Sequence, residues 1–279
     1  MASNPKIKTE GLLYHFLQRE LWADDVWLFQ SLASRLILRL GIWLSPAAYA
    51  RLPWLVPYAR RDPTCRGNKK LGLADAWGSP DDQGFLRDDN SLLKGVPRSM
   101  TVQSTLGAYA GRRVDTGFVA AHVWRRIDHE LLAARHPLTY SFVPNVIWLP
   151  ADVAKLTDRE GSFAQQFVQA LAVNIYRAVA VPASLEKLVE EAWEMLPVPA
   201  SIPPQALPEV SELNFFEPSP EFYLRRRKTF LTVASALHQG GASSKVVAAR
   251  YAPGLHVVDP SVRAALAQRL EGLSESLIV

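Results

Sequence analysis

Apolar residues recur at spacings of three and four along most of this chain, a pattern that predicts a largely helical protein. Residues 9–58 carry two such runs, one of five positions and one of three: Leu12, Leu13, Phe16, Leu17 and Leu21, then Leu28, Leu32 and Leu36. The same spacing predicts helices in 151–181, with a break near Gly161 and Ser162, and again in 185–195, 220–238 and 260–273. Helices therefore dominate the prediction at both ends of the chain.

Two short stretches in the middle of the chain carry a different pattern. Residues 112–122 and 142–149 are apolar and rich in β-branched side chains, which is typical of strands. Residues 59–99 are dense in Gly, Pro, Asp and Asn and predict a long irregular segment. The sequence thus predicts an α+β protein in four regions: a helical 1–60, an irregular 61–100, a strand-containing 101–182, and a helical, basic 183–279 with a proline-rich connector at 196–208.

Charge, cysteine content and the lengths of the apolar stretches limit which classes of protein the chain can belong to. The formal net charge is +4, and 22 of the 31 basic residues are arginine, whose planar guanidinium suits phosphate groups and guanine edges. The single cysteine, Cys65, excludes a disulfide within the chain and a cysteine-based zinc site. It also favours a reducing compartment, so we expect a cytoplasmic protein. We expect no membrane partner, because no uninterrupted apolar stretch of about 20 residues exists.

Three side chains around the predicted strands are candidates for a hydrolytic site. His122 ends the first strand-like stretch, Asn145 opens the second, and Asp158 lies in the helical stretch after it. A neutral histidine can take a proton from water, and its unperturbed pKa of about 6.5 permits that near neutral pH. Asparagine can hydrogen-bond the loop between two strands, and a carboxylate is a suitable ligand for Mg²⁺.

The segments AAHVW and NVIWLP, with the helix that follows them, resemble the HNH nuclease family of the ββα-metal superfamily. The resemblance covers residues 111–158 and implies a ββα-metal core embedded in a mostly helical protein. It implies that His122 is the general base and that Asn145 orients the loop. In many members the helix offers ligands about nine and thirteen residues beyond that asparagine, here Ala154 and Asp158. Asp158 would then hold Mg²⁺ or another hard divalent ion such as Mn²⁺.

That resemblance implies a metal-dependent DNA endonuclease that hydrolyses phosphodiester bonds, of a site-specific restriction or phage-defence type. Double-stranded DNA is the expected partner. We also expect a homodimer, because cutting both strands calls for two sites and symmetric targets favour two-fold assemblies.

Basic residues lie on both sides of the candidate site and in one further cluster. Phosphate contacts dominate the affinity of proteins for nucleic acid, so these residues are candidates for binding the substrate backbone. The candidates are Arg112, Arg113, Arg125, Arg126, Lys155 and Arg159 around the site, and Arg225, Arg226 and Arg227 in the predicted C-terminal helix. Each group could equally be a solvated, charge-paired surface.

The sequence leaves other interpretations open. Many HNH proteins carry a metal-binding Asp or His directly before the base, where this chain has Ala121, and this favours a non-catalytic nucleic-acid-binding protein with a degenerate core. A structural or interaction protein without a nucleic-acid role is a third possibility. The motif of the PD-(D/E)xK nucleases is absent, since no lysine has an acidic residue two positions before it. Asp88 and Asp89 are therefore expected to hold a turn or cap a short helix at 91–94.

Overall fold

The strands that carry the candidate site belong to a five-stranded sheet. In the computed structural model, which describes residues 23–62, 64, 78–128, 130–199, 207–241 and 250–278, there are seven strands. They are β1 (Ile42–Leu44), β2 (Ala59–Arg61), β3 (Leu86–Asp88), β4 (Thr101–Gln103), β5 (Phe118–His122), β6 (Val146–Pro150) and β7 (Asn214–Glu217). The large sheet has the order β4-β7-β1-β6-β5, and β2 pairs with β3 in a separate two-stranded sheet.

The pairing directions are mixed. In the large sheet the β1–β7 pair is parallel, and the β4–β7, β1–β6 and β5–β6 pairs are antiparallel. The strands come from three of the four regions that the sequence suggested, because β1 lies before residue 60, β7 lies beyond residue 183, and the other three lie between 101 and 182. These regions therefore share one sheet.

The described helices largely follow the predicted pattern. They are α1 (Ala23–Leu40), α2 (Pro46–Arg51), α3 (Ser91–Gly95), α4 (Ala151–Thr157), α5 (Phe163–Tyr176), α6 (Ala183–Glu194), α7 (Pro220–His238), α8 (Tyr251–Gly254) and α9 (Pro260–Glu275). The predicted break at Gly161 and Ser162 is confirmed: Gly161 adopts φ +71°, and Ser162 caps α5 by accepting a hydrogen bond from Gln165 N at 3.2 Å. The mixed α+β class is likewise confirmed.

The prediction that residues 9–58 are helical is wrong for residues 42–44, which form a strand. The apolar run of residues 12–21 lies outside the described residues, and α1 ends at Leu40. Gly41 allows the turn, because a Cβ there would stand 2.6 Å from Ile37 O and 2.8 Å from Ile147 Cδ1. The next three residues form β1 in the middle of the sheet and are all buried. A run this short and wholly apolar has neither a helical nor a strand period, so its pattern could not distinguish the two.

The two predicted strands exist with shifted bounds. Residues 112–117 are irregular and β5 begins only at Phe118, while Val143–Asn145 forms a 3₁₀ turn before β6. Buried tryptophans from several elements belong to the hydrophobic core, among them Trp43, Trp54, Trp124 and Trp148. Among the helices that the structure describes, none is both long and apolar enough to cross a membrane.

Candidate functional site

The candidate residues His122, Asn145 and Asp158 lie on one strand–strand–helix unit. β5 and β6 pair antiparallel so that His122 stands opposite Val146, and α4 begins directly after β6. Asn145 precedes β6, and Asp158 is the residue that ends α4. Because α4 packs on both strands, the end of β5 and the C-terminal end of α4 face a common space.

Asn145 holds the loop between the two strands. Its side chain is fully buried. Its Oδ1 accepts a hydrogen bond from Trp124 N at 2.7 Å, and its Nδ2 donates one to Thr139 O at 2.8 Å. The two bonds join the beginning of the loop to its end, so this one amide fixes the path of the chain immediately after His122.

His122 is held in one tautomer by a backbone carbonyl. Its Nε2 lies 3.1 Å from Tyr140 O, and its half-buried ring stacks on the Tyr140 ring with centroids 5.7 Å apart and planes 28° apart. A carbonyl oxygen can only accept, so Nε2 carries the hydrogen and Nδ1 of the neutral ring keeps a free electron pair.

The surroundings of His122 also keep the ring neutral. Burial lowers the pKa of His122 to about 4, and the nearby Arg61 guanidinium contributes to the lowering, while the hydrogen bond to the Tyr140 carbonyl opposes it. The ring is therefore uncharged near pH 7, which is the form that can accept a proton.

A cleft of about 660 Å³ brings His122 and Asp158 together with several cations. Four basic side chains line it: Arg61, Arg125, Arg135 and Lys155. Asp158 contributes the only carboxylate among the described residues that line this cleft. Desolvation raises the pKa of Asp158, and Arg125 and Arg61 act against that rise. The lining is thus strongly electropositive, which favours an anionic ligand.

The predicted phosphate-binding residues near the site divide between the cleft and other surfaces. Arg125 lines the cleft and donates from Nη1 to Asp158 O at 2.7 Å, and Lys155 lines it while paired with Asp152 at 3.0 Å. Arg126 and Arg159 are not among the residues that line it. The structure also places the loop of Arg112 and Arg113 elsewhere.

Arg112 and Arg113 lie beside the opposite edge of the sheet from His122. Arg112 O accepts a hydrogen bond from Val102 N at 2.8 Å, and Val102 belongs to β4, the far edge strand. Both side chains are exposed there. The two arginines are therefore near His122 in the sequence but not in space.

The side chains of the α7 cluster, Arg225, Arg226 and Arg227, have different surroundings. Arg226 donates from Nη2 to Leu55 O and lies over the Phe230 ring at 5.5 Å, so its guanidinium docks the helix onto the core. Arg225 is exposed, and Arg227 lines a surface groove with Leu224, Lys228 and Leu231. One of the five N–H donors of Arg226 is thus used within the protein, and contact of this residue with nucleic acid remains a prediction.

Two arginines that line the cleft were not among the residues predicted from the sequence. Arg61 ends β2, and Arg135 lies in the short 3₁₀ turn Ala133–Arg135. Neither lies in a motif, and Arg61 is distant in sequence from His122. Only the packing of β2 beside the loop that β5 and β6 enclose brings them to the cleft. Charge alone could not have selected them among 31 basic residues.

Asp158 is the carboxylate in this cleft lining that would hold a hard cation. No group of three or more His, Cys, Asp or Glu side chains that could hold a metal occurs among the described residues. Mg²⁺ commonly keeps several waters and binds through one or two carboxylates together with substrate phosphates. Asp158 fits that minimal arrangement, since its exposed carboxylate lines the same cleft as His122.

Comparisons with known proteins identify no relative for this arrangement. The chain matches no protein-family model, no curated protein and no solved structure.

Proposed function

We propose that this chain is a metal-dependent nuclease that hydrolyses phosphodiester bonds in the cleft between β5, α4 and Arg61. The observation that carries the proposal is the state of His122. Its Nε2 is bonded to a carbonyl and its Nδ1 keeps a free electron pair, and the residue lines a cleft together with four cations. A neutral base beside an anion-binding surface is what water attack on a phosphodiester requires.

The chain's own residues have distinct parts in this reaction. Nδ1 of His122 takes a proton from a water molecule as its oxygen bonds to phosphorus, and the bond from phosphorus to the leaving oxygen breaks. That oxygen then takes up a proton from solvent. Arg61, Arg125, Arg135 and Lys155 bind the non-bridging oxygens and the neighbouring phosphates. A Mg²⁺ or Mn²⁺ ion held by Asp158 would neutralise charge on the phosphate and on the leaving oxygen.

The finer proposal is a site-specific endonuclease for double-stranded DNA, of a restriction or phage-defence type and acting as a homodimer. It is supported by the resemblance of residues 111–158 to HNH nucleases and by the order of strand, pinned loop, strand and helix around His122. Exposed Arg225 and the groove residue Arg227 supply a second basic surface for duplex contact.

A direct experiment incubates the purified chain with supercoiled plasmid and Mg²⁺, alongside His122→Ala. General base catalysis contributes about 10²–10⁴-fold, so cutting by His122→Ala should fall by at least that lower factor. The matched control is His238→Ala, which removes an exposed histidine that bonds Glu271 on another face. The proposal is wrong if the folded chain cuts neither duplex DNA, single-stranded DNA nor RNA with Mg²⁺ or Mn²⁺.

A non-catalytic nucleic-acid-binding protein is the second candidate. Ala121 at the usual ligand position and the presence of one carboxylate in the cleft lining favour it. Under this alternative the chain binds duplex DNA in a salt-sensitive way without cutting, and His122→Ala leaves binding unchanged.

A further inference from the structure

A buried carboxylate behind the cleft has no part in the reaction described above. Asp88 ends β3, is fully buried, and does not line the cleft. Its Oδ2 accepts a hydrogen bond from the Tyr140 hydroxyl at 2.6 Å, and its Oδ1 accepts one from Ser91 Oγ at 3.0 Å. Leu92 N donates to the same carboxylate at 3.2 Å, so Asp88 also holds the turn before α3, one of the two roles that the sequence predicted.

Tyr140 connects that carboxylate to the candidate base. Its hydroxyl bonds Asp88, its ring stacks on His122, and its backbone carbonyl accepts from Nε2 of His122. The residue is fully buried. Burial and the neighbouring Asp88 raise the pKa of Tyr140 well above its ordinary value, so the hydroxyl remains a donor. One residue thus contacts His122 through its ring and through its main chain.

A second contact ties the same segment to β5. Asn90, two residues after Asp88, adopts the left-handed conformation with φ +81°, which is uncommon for a residue other than glycine. Its Nδ2 donates to Ala120 O at 2.9 Å, two residues before His122. The segment from Asp88 to Asn90 is therefore joined both to the strand that carries His122 and to the tyrosine that orients its ring.

We infer that Asp88 and Tyr140 are positioning residues for His122, which hold its ring with Nε2 toward the Tyr140 carbonyl and Nδ1 free for a substrate water. Neither residue lines the cleft. Removal of the Tyr140 hydroxyl would break the link from its ring to Asp88 and loosen the support of the imidazole that stacks on it. Small losses of alignment at a reacting group are costly to rate. The catalytic consequence rests on the proposed nuclease function, whereas the orientation of the ring does not.

Tyr140→Phe tests the inference, because it removes the bond to Asp88 and keeps the aromatic ring and the carbonyl. We expect the ¹⁵N NMR shifts of His122 to move from a single Nε2–H tautomer toward a mixture. We also expect kcat for cleavage to fall about tenfold, with KM within about twofold. The matched control is Tyr251→Phe, which deletes another buried hydroxyl, bonded to Gly84 O at 2.8 Å, and should change neither quantity.

The other end of the same bond is tested by Asp88→Asn, alone and combined with Tyr140→Phe. If carboxylate and hydroxyl act as one unit, the double variant is no slower than the slower single variant. Effects that multiply in the double variant would overturn the inference. Asp88→Asn keeps an oxygen acceptor and the size of the side chain, so the nitrogen shifts can be read from it even where Tyr140→Phe fails to fold.

The outcomes separate this inference from the proposed function. Unchanged nitrogen shifts of His122 in both folded variants would overturn positioning, even where the wild-type chain cuts DNA. A fall in kcat without any change at the imidazole would overturn it as well, because action through His122 is the claim. If the wild-type chain cuts nothing but the shifts respond, the nuclease proposal is wrong and the positioning of the ring stands.

Discussion

The lowered pKa of His122 should make the folded chain lose stability in mild acid, and His122→Gln should remove that loss. The pKa of this ring falls from 6.5 to about 4 on folding, because the ring is desolvated and lies near Arg61. Between those two pH values the unfolded chain binds a proton at this position and the folded chain does not. Acid therefore favours the unfolded state, and stability rises with pH across this window.

The size of the effect follows from the shift. At about 1.36 kcal/mol per pKa unit, a shift from 6.5 to about 4 corresponds to about 3 kcal/mol of stability that is present above pH 6.5 and lost by about pH 4. Buried carboxylates such as Asp88 titrate in both proteins and cancel in the comparison. Glutamine suits the site, since its amide can still donate to Tyr140 O and has no titrating group.

The assay is urea unfolding followed by tryptophan fluorescence at pH 7.0, 6.0, 5.0 and 4.5. We expect the free energy of unfolding of wild type to fall more steeply with acid than that of His122→Gln, by about 1.4 kcal/mol per pH unit within the window. Parallel curves for the two proteins would contradict the assignment of a neutral, carbonyl-bonded ring.

Three further outcomes follow from the contacts of single residues. Asn145→Ala should cost about 2–4 kcal/mol in urea unfolding, since it deletes two buried hydrogen bonds and orphans their backbone partners. Arg226→Ala should destabilise by about 1–2 kcal/mol, whereas exposed Arg225→Ala should stay within about 0.5 kcal/mol; equal effects would contradict a docking role for Arg226. Arg61→Ala should raise the pKa of His122 in an NMR titration, and an unchanged pKa would place Arg61 away from the ring. The same variant should reduce the slope of log binding constant against log salt concentration by about one.

The helical part of the fold could largely be predicted from the sequence. Helix α7 has the predicted bounds, and Ser162 after the left-handed Gly161 gave a local signal for the start of α5. Such features depend on contacts within one or two turns, which the spacing of apolar residues records. The pattern of apolar residues did not predict the strand β1, because its three residues are wholly buried between strands that are distant in sequence.

The candidate site could be predicted only in part, because some of its contacts join residues that are distant in sequence. His122, Asn145 and Asp158 are close along the chain, and one strand–strand–helix unit carries all three. Arg61 and Tyr140 approach His122, and Asp88 contacts Tyr140, through tertiary packing, and no local pattern links them to His122. Conversely, Arg112 is near His122 in sequence but beside β4 at the far edge of the sheet. Sequence proximity thus predicted the framework of the site and two of its four basic lining residues, Arg125 and Lys155, but not Arg61 or Arg135.

The measurement that tests the account most directly is chemical rescue of His122→Ala by imidazole in a Mg²⁺-dependent cleavage assay. The cleft of about 660 Å³ is open enough for an added imidazole to take the place of the missing ring. We expect wild type to cut DNA, His122→Ala to lose at least about 10²-fold, and imidazole to restore cutting in proportion to its neutral fraction. Cutting by His122→Ala at the wild-type rate, or a folded wild type without metal-dependent cutting, would contradict the account.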